Sequence, residues 1–201
     1  MNLSRLSSLS GGAGARRLLV AALAATAVGS VACDDPFAPR ATTPVRIDSF
    51  TVYAVTQTPV AAPAAFNILF FTPLRLEPSY GFDIVFDIDE SGKVVIIPVK
   101  LIGGVVTFGR LVGLQKIVGD YDAMTRAPTS GYFYDSTVVL APLEGVLVEL
   151  PTEACQFQTS RKVYAKIQIQ AADPVSRQIA FRIAYDPNCG FRSFLPGVPT
   201  N

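Results

Sequence analysis

The stretch VYAKIQIQAADPVSRQIAFRIAY, residues 163–185, constrains the fold of this chain more than any other. Val163, Ala165, Ile167 and Ile169 alternate with Tyr164, Lys166, Gln168 and Gln170. A side-chain period of two belongs to a strand with one face buried. After the turn-rich AADPVSR the apolar set resumes at Ile179, Phe181, Ile183 and Tyr185, with Arg182 on the opposite face. The two runs read as a β-hairpin. GFDIVFDIDESGKVVIIPVKLI, residues 81–102, reads as a second one, with Phe82, Ile84, Phe86 and Ile88 on one face and a turn at Glu90–Gly92. Its return strand is apolar throughout, which predicts burial on both faces, while Pro98 predicts a bulge or an edge.

Further strands are predicted at residues 45–56, 66–71, 105–108, 132–140 and 146–150. In the first of these the apolar phase slips, from Val45 and Ile47 to Phe50 and Val52, as a β-bulge would produce. The segment LVGLQKIVGDYDAMT is ambiguous, with room for a helical turn near Asp122. Half of the 201 residues are apolar, enough for a packed core, and 15 Gly with 15 Pro favour many turns. No internal repeat or second linker interrupts the pattern. The expected fold is all-β, an antiparallel sandwich or open barrel, in one domain over residues 45–195 with a short tail at 196–201.

Residues 1–32 have the three parts of an export signal. Arg5, Arg16 and Arg17 form a positive n-region, and LLVAALAATAV, residues 18–28, is an apolar run. A spanning helix needs about 20 apolar residues, so this run is too short. SVAC, residues 30–33, then resembles the lipobox of bacterial lipoproteins, in which the chain is cut before the cysteine and the new terminus is acylated. Ala32 and Val31 fit that pattern, and Ser30 stands where Leu is commonest. The resemblance implies a lipid-anchored envelope protein held by Cys33. The competing reading is an ordinary signal peptide with an incidental cysteine. Residues 33–44 follow as a lipidated cysteine and a proline-rich tether. The outer membrane is the expected location, although Asp34 directly after the cysteine is also compatible with inner-membrane retention. Arg16–Arg17 lacks most of a twin-arginine motif, which points to ordinary secretion.

The chain carries a formal charge of +1. Removing the three leader arginines leaves 14 basic against 16 acidic residues, about −2, so there is no basic footprint for nucleic acid. Histidine is absent, which removes the commonest general base and metal ligand at neutral pH. With Cys33 assigned to lipid, Cys155 and Cys189 remain. They flank the open ends of the last hairpin, and an exported domain meets an oxidising compartment, so a disulfide is expected. A two-cysteine metal site is the alternative, but zinc sites normally need four ligands.

Three groupings carry candidate chemistry. DIDESG, residues 87–92, matches the opening of a calcium loop, with Asp87, Asp89 and Ser91 at positions 1, 3 and 5 and glycine at 6. Position 12 falls on Pro98, where a bidentate carboxylate is needed, so a plain hairpin turn is the favoured reading. Asp83, Asp87 and Asp89 share one strand face, two of the neighbours at glycosidase-like separation. Solvated strands routinely carry such charges, and no acid–base pairing, nucleophile elbow or Ser-x-x-Lys motif accompanies them. Tyr132, Phe133 and Tyr134 in GYFYDS offer an aromatic ligand platform, and Met124 in DYDAMTRAP is the one methionine outside the leader that could add a ligand atom. Alternate placement of the rings, some in the core, is the commoner outcome for such a run.

The order GFDIVFDIDESGKVVIIP, GYFYDS, VYAKIQI is similar to that in β-rich haem-binding lipoproteins of the HmuY type, over residues 80–185. That resemblance implies the fold and a small apolar ligand. The family's haem ligands are histidines and this chain has none, so no cofactor is expected and the resemblance carries the fold alone. The leading expectation is a non-catalytic binding or scaffolding module that meets the membrane through its anchor and other envelope proteins through its surface. The alternative is a carrier of a small apolar ligand.

Overall fold

The computed structural model describes residues 38–77, 81–103, 111–158 and 160–200. The chain divides into two units, Met1–Ala38 and Pro39–Asn201. The first lies outside the described residues except for Ala38, and with it Cys33 and Asp34; the strand predicted at 105–108 lies outside them too.

The second unit is an antiparallel β-sandwich, as the alternation predicts. Its strands are β1 (Arg46–Tyr53), β2 (Pro63–Asn67), β3 (Thr72–Arg75), β4 (Ile84–Ile88), β5 (Val94–Pro98), β6 (Gly113–Lys116), β7 (Val138–Leu140), β8 (Gly145–Pro151), β9 (Lys162–Asp173) and β10 (Gln178–Asp186). They form two five-stranded sheets, β1-β10-β9-β8-β6 and β3-β2-β4-β5-β7, which do not close into a barrel. Both predicted hairpins are present. In β9–β10 Ile167 faces Ile183 and Ile169 faces Phe181, and Gln170 is the extra residue of a bulge before Ala171 meets Ala180.

Alternate residues of the two sheets fill the space between them. Phe66, Phe86 and Phe181 are fully buried there, and their rings meet at 4.9–5.4 Å. Phe50, Phe71 and Tyr185 extend the cluster toward the sandwich end where β1 begins. Each such ring pair adds about 0.5–1.5 kcal/mol beyond its area burial. Arg177, in the β9–β10 turn, bridges to the other sheet, donating to Asp87 Oδ1 at 2.8 Å, Thr56 Oγ1 at 2.7 Å and the Ile88 carbonyl at 3.0 Å.

Four finer expectations meet a mixed outcome. The phase slip at residues 45–56 is not a bulge, because β1 pairs with β10 without a register break. Val45 packs outward into a second, smaller cluster while Val52 packs inward, so the two phases serve opposite faces of one sheet. Pro98 marks a local edge and not a bulge: it ends β5, where β4 still pairs with it and β7 no longer reaches. The run at 132–140 divides between the sheets, with β7 on β5 and Phe133 forming an isolated bridge to Leu114 in β6. In the ambiguous segment β6 is a strand, and residues 121–123 form a single turn closed by the Met124 amide on the Tyr121 carbonyl, the turn near Asp122 for which the sequence left room.

Cys155 and Cys189 are bonded, with Cα atoms 5.6 Å apart, inside the usual disulfide range. The bond joins the β8–β9 connection to the segment after β10. On the same side of the molecule Asn188 Oδ1 accepts from the amides of Thr42 and Thr43 at 3.0 and 3.1 Å, so the fold is fastened a few residues before β1. Residues 196–200 are also held, through the Val45–Gly197 bridge.

Candidate functional site

A half-buried hairpin should turn polar side chains to water. In β9 it does not: Tyr164 and Lys166 are each 5% exposed. The outer face of the first sheet is covered by two segments, one following β6 and one following β10. Tyr121, Ala127 and Phe194 from these segments pack on Leu147, Tyr164 and Ala184 of the sheet, with Met124 and Tyr132 at the margin. Residues that alternation assigns to solvent therefore form a buried polar layer.

Two clusters organise that layer. In the first, Lys166 donates from Nζ to the carbonyls of Tyr121 and Met124, both at 2.9 Å, and lies 4.1 Å from the centre of the Tyr121 ring. Arg182 also sits by the Tyr121 ring, at 4.3 Å, and is held by Gln168 at 2.7 Å and Asp122 at 2.8 Å. Cation–π attraction and burial thus fix Tyr121 between two cations. Burial lowers the Lys166 pKa from its ordinary value.

The second cluster surrounds Glu149 of β8, which is 1% exposed. Its Oε1 accepts from Lys162 Nζ at 2.8 Å and from the Tyr134 hydroxyl. Its Oε2 is buried with no hydrogen-bond partner. Gly113 lies opposite Glu149 in the ladder, and a Cβ there would come within 2.8 Å of the Tyr134 ring and 2.9 Å of the Tyr132 Cβ. The glycine is what lets both tyrosines approach the strand so closely. Burial first, then the Glu149 charge, pushes the Tyr164 phenol up to about 12 and the Tyr132 phenol upward as well; Arg192 pulls both the other way. These phenols are neutral at pH 7, hydrogen-bond donors rather than nucleophiles.

Tyr132 and Met124 thus pack on the outer cluster while Tyr134 bonds to Glu149, a cover on the sheet and not an open platform. The Tyr132 hydroxyl donates to the Pro128 carbonyl at 3.3 Å, while the intervening Phe133 is 62% exposed, the alternating placement expected of such a run. Asp87 parts from Asp89 and Ser91, which bond to each other. Asp87 pairs with Arg177, and Asp89 Oδ1 caps the hairpin turn by accepting from the Ser91 amide and hydroxyl and the Lys93 amide at 2.7–2.9 Å. Gly92 adopts the left-handed conformation that this turn requires. Asp83 is not solvated: it is fully buried and its Oδ2 accepts from the Ile68 amide at 2.7 Å. Among the described residues no three acidic or cysteine side chains converge as a metal site would require.

Beside the second cluster lies a groove of about 370 Å³ between Thr125–Arg126 and residues 190–200. Its walls are joined by the Arg126–Ser193 bridge and by 2.8 Å bonds from the Ala127 amide to the Arg192 carbonyl and from the Phe194 amide to the Thr125 carbonyl. Arg126 and Arg192 line it, with Leu195 and Val198 among its apolar members. Among the described residues no carboxylate pairs with either arginine. Comparison with known proteins supplies no relative. The chain matches no family model, no curated protein and no solved structure.

The groove was not legible in the sequence. The walls come from a segment without periodicity and from the C-terminal tail, and they meet only because both cross the same sheet face. The apolar Phe194 and Leu195 in an otherwise turn-rich stretch are the one sequence sign that the tail packs.

Proposed function

We propose that this chain is a non-catalytic binding domain of the bacterial cell envelope, anchored by lipid on Cys33. The observation that carries the reading is the lipobox-like SVAC behind an apolar run too short to span a bilayer, with Thr42, nine residues later, already held to the domain by Asn188. A buried disulfide suits an exported chain. Binding is favoured over catalysis because the described acids with resolved partners serve the fold. Glu149 is salt-bridged, Asp87 joins the two sheets and Asp89 caps a turn. Binding at the surface is favoured over carriage of an apolar ligand because interlocked aromatic rings occupy the space between the sheets.

The test is the intact mass of protein extracted from its native membrane. Cleavage before Cys33 with added acyl mass is expected. A soluble mature protein that begins elsewhere refutes the reading.

A further inference from the structure

We propose that the Arg126–Arg192 groove seats the phosphate of an anionic membrane phospholipid and so docks one end of the domain on the bilayer; this rests on the lipid-anchor reading. Three observations lead there. The first is charge. Arg126 makes no side-chain hydrogen bond among the described residues, and Arg192 spends one N–H on the Ala127 carbonyl at 2.9 Å. Two arginines without carboxylate partners line one groove, and guanidinium donors are the side-chain chemistry that takes the oxygens of a phosphate in fork geometry. The mature chain is slightly acidic overall, so any attraction to anionic lipid must be local to such a site.

The second is the apolar rim. Leu195 is 55% and Val198 49% exposed at the groove. Phe157, 91% exposed, lies two residues beyond Cys155, which the disulfide ties to Cys189 next to the groove residue Gly190. Apolar side chains around a cationic site suit the boundary between headgroups and acyl chains.

The third is position. Asn188, two residues before Gly190, holds Thr42 and Thr43, and the bridge of Val45 to Gly197 places the far end of the same wall beside the start of the domain. Nine Cα steps separate Cys33 from Thr42, at most roughly 30 Å when extended. An acylated Cys33 would therefore tether the domain through Thr42 and Thr43, the residues that Asn188 holds next to the groove.

The test uses the full acylated protein reconstituted in vesicles of phosphatidylcholine, with and without phosphatidylglycerol. Hydrogen exchange is read at the amides of residues 125–127 and 190–198. Exchange about tenfold slower on phosphatidylglycerol vesicles alone is expected, with the slowing lost in Arg126→Gln, whose side chain no internal bond requires. Equal protection on both vesicles, unchanged protection in Arg126→Gln, or the same protection from soluble glycerol phosphate without anionic vesicles overturns the proposal. An intact mass without acyl chains overturns the anchor reading together with it, whereas acylated protein without lipid-selective protection overturns the docking alone.

Discussion

Asp186 ends β10 with its side chain fully withdrawn from solvent. Its Oδ1 accepts from the Asn188 amide at 3.0 Å and the Asn188 side-chain nitrogen at 2.8 Å, while Oδ2 is buried without a partner. Burial raises its pKa against the lowering effect of those bonds. A carboxyl whose folded pKa lies above its unfolded value binds more protons when folded, so its contribution to stability declines as pH rises. The decline starts near the unfolded value of about 3.9 and stops once pH passes the folded pKa. Asp186→Asn should remove that slope, which is at most about 1.4 kcal/mol per pH unit. Denaturant titrations of both proteins from acid to neutral pH check it: the wild-type minus variant difference should fall with rising pH. A constant or rising difference contradicts the assignment.

At the scale of elements, the two hairpins and the all-β class were legible because a period of two survives any tertiary context in which one sheet face is core. What covers the other face was not. Tyr164, Lys166 and Gln168 obey the polar half of the alternation, and that pattern is the same whether water or a folded segment lies above it. The Glu149 cluster was hidden for that reason, since VLVELP places a charge where a solvated face would also have one. The joint between the sheets was equally unreadable, because Arg177 and Asp87 are ordinary turn and strand charges until the fold brings them to 2.8 Å. Their side chains are only 11% and 18% exposed, so screening by water is limited. Arg177→Met leaves Asp87 beside Thr56 without its cation and should destabilise the domain by about 2 kcal/mol. A double-mutant cycle with Asp87→Asn measures the pair: a coupling near zero would assign the loss to the packing of Arg177 instead.

Across the whole molecule, connectivity concentrates attachments at one end of the sandwich. The incoming chain at Thr42, the turn whose Phe71 ring lies against Tyr185, the disulfide and the segment after β10 all gather there. The segment after β10 lies outside both sheets, yet it covers Lys166 with Phe194 and forms one wall of the groove. Beyond the disulfide, it is held by turn bonds and isolated bridges, including Gly190 to Lys162, Arg126 to Ser193 and Val45 to Gly197. Cys155 and Cys189 are 34 positions apart, and in the chain-entropy model closing such a loop stabilises by about 3–4 kcal/mol. For a domain of this size that amounts to a fall in Tm of about 10 °C when the bond is removed. Cys155→Ser with Cys189→Ser should show that fall by calorimetry. The loss should also be uneven, because the variant frees the base of the outer segment while leaving the ring cluster between the sheets intact. Hydrogen exchange at residues 190–198 is therefore expected to quicken well before that of β4 and β9. Uniform quickening over the whole domain would mean that the disulfide supports the sandwich as one cooperative unit rather than the groove wall in particular.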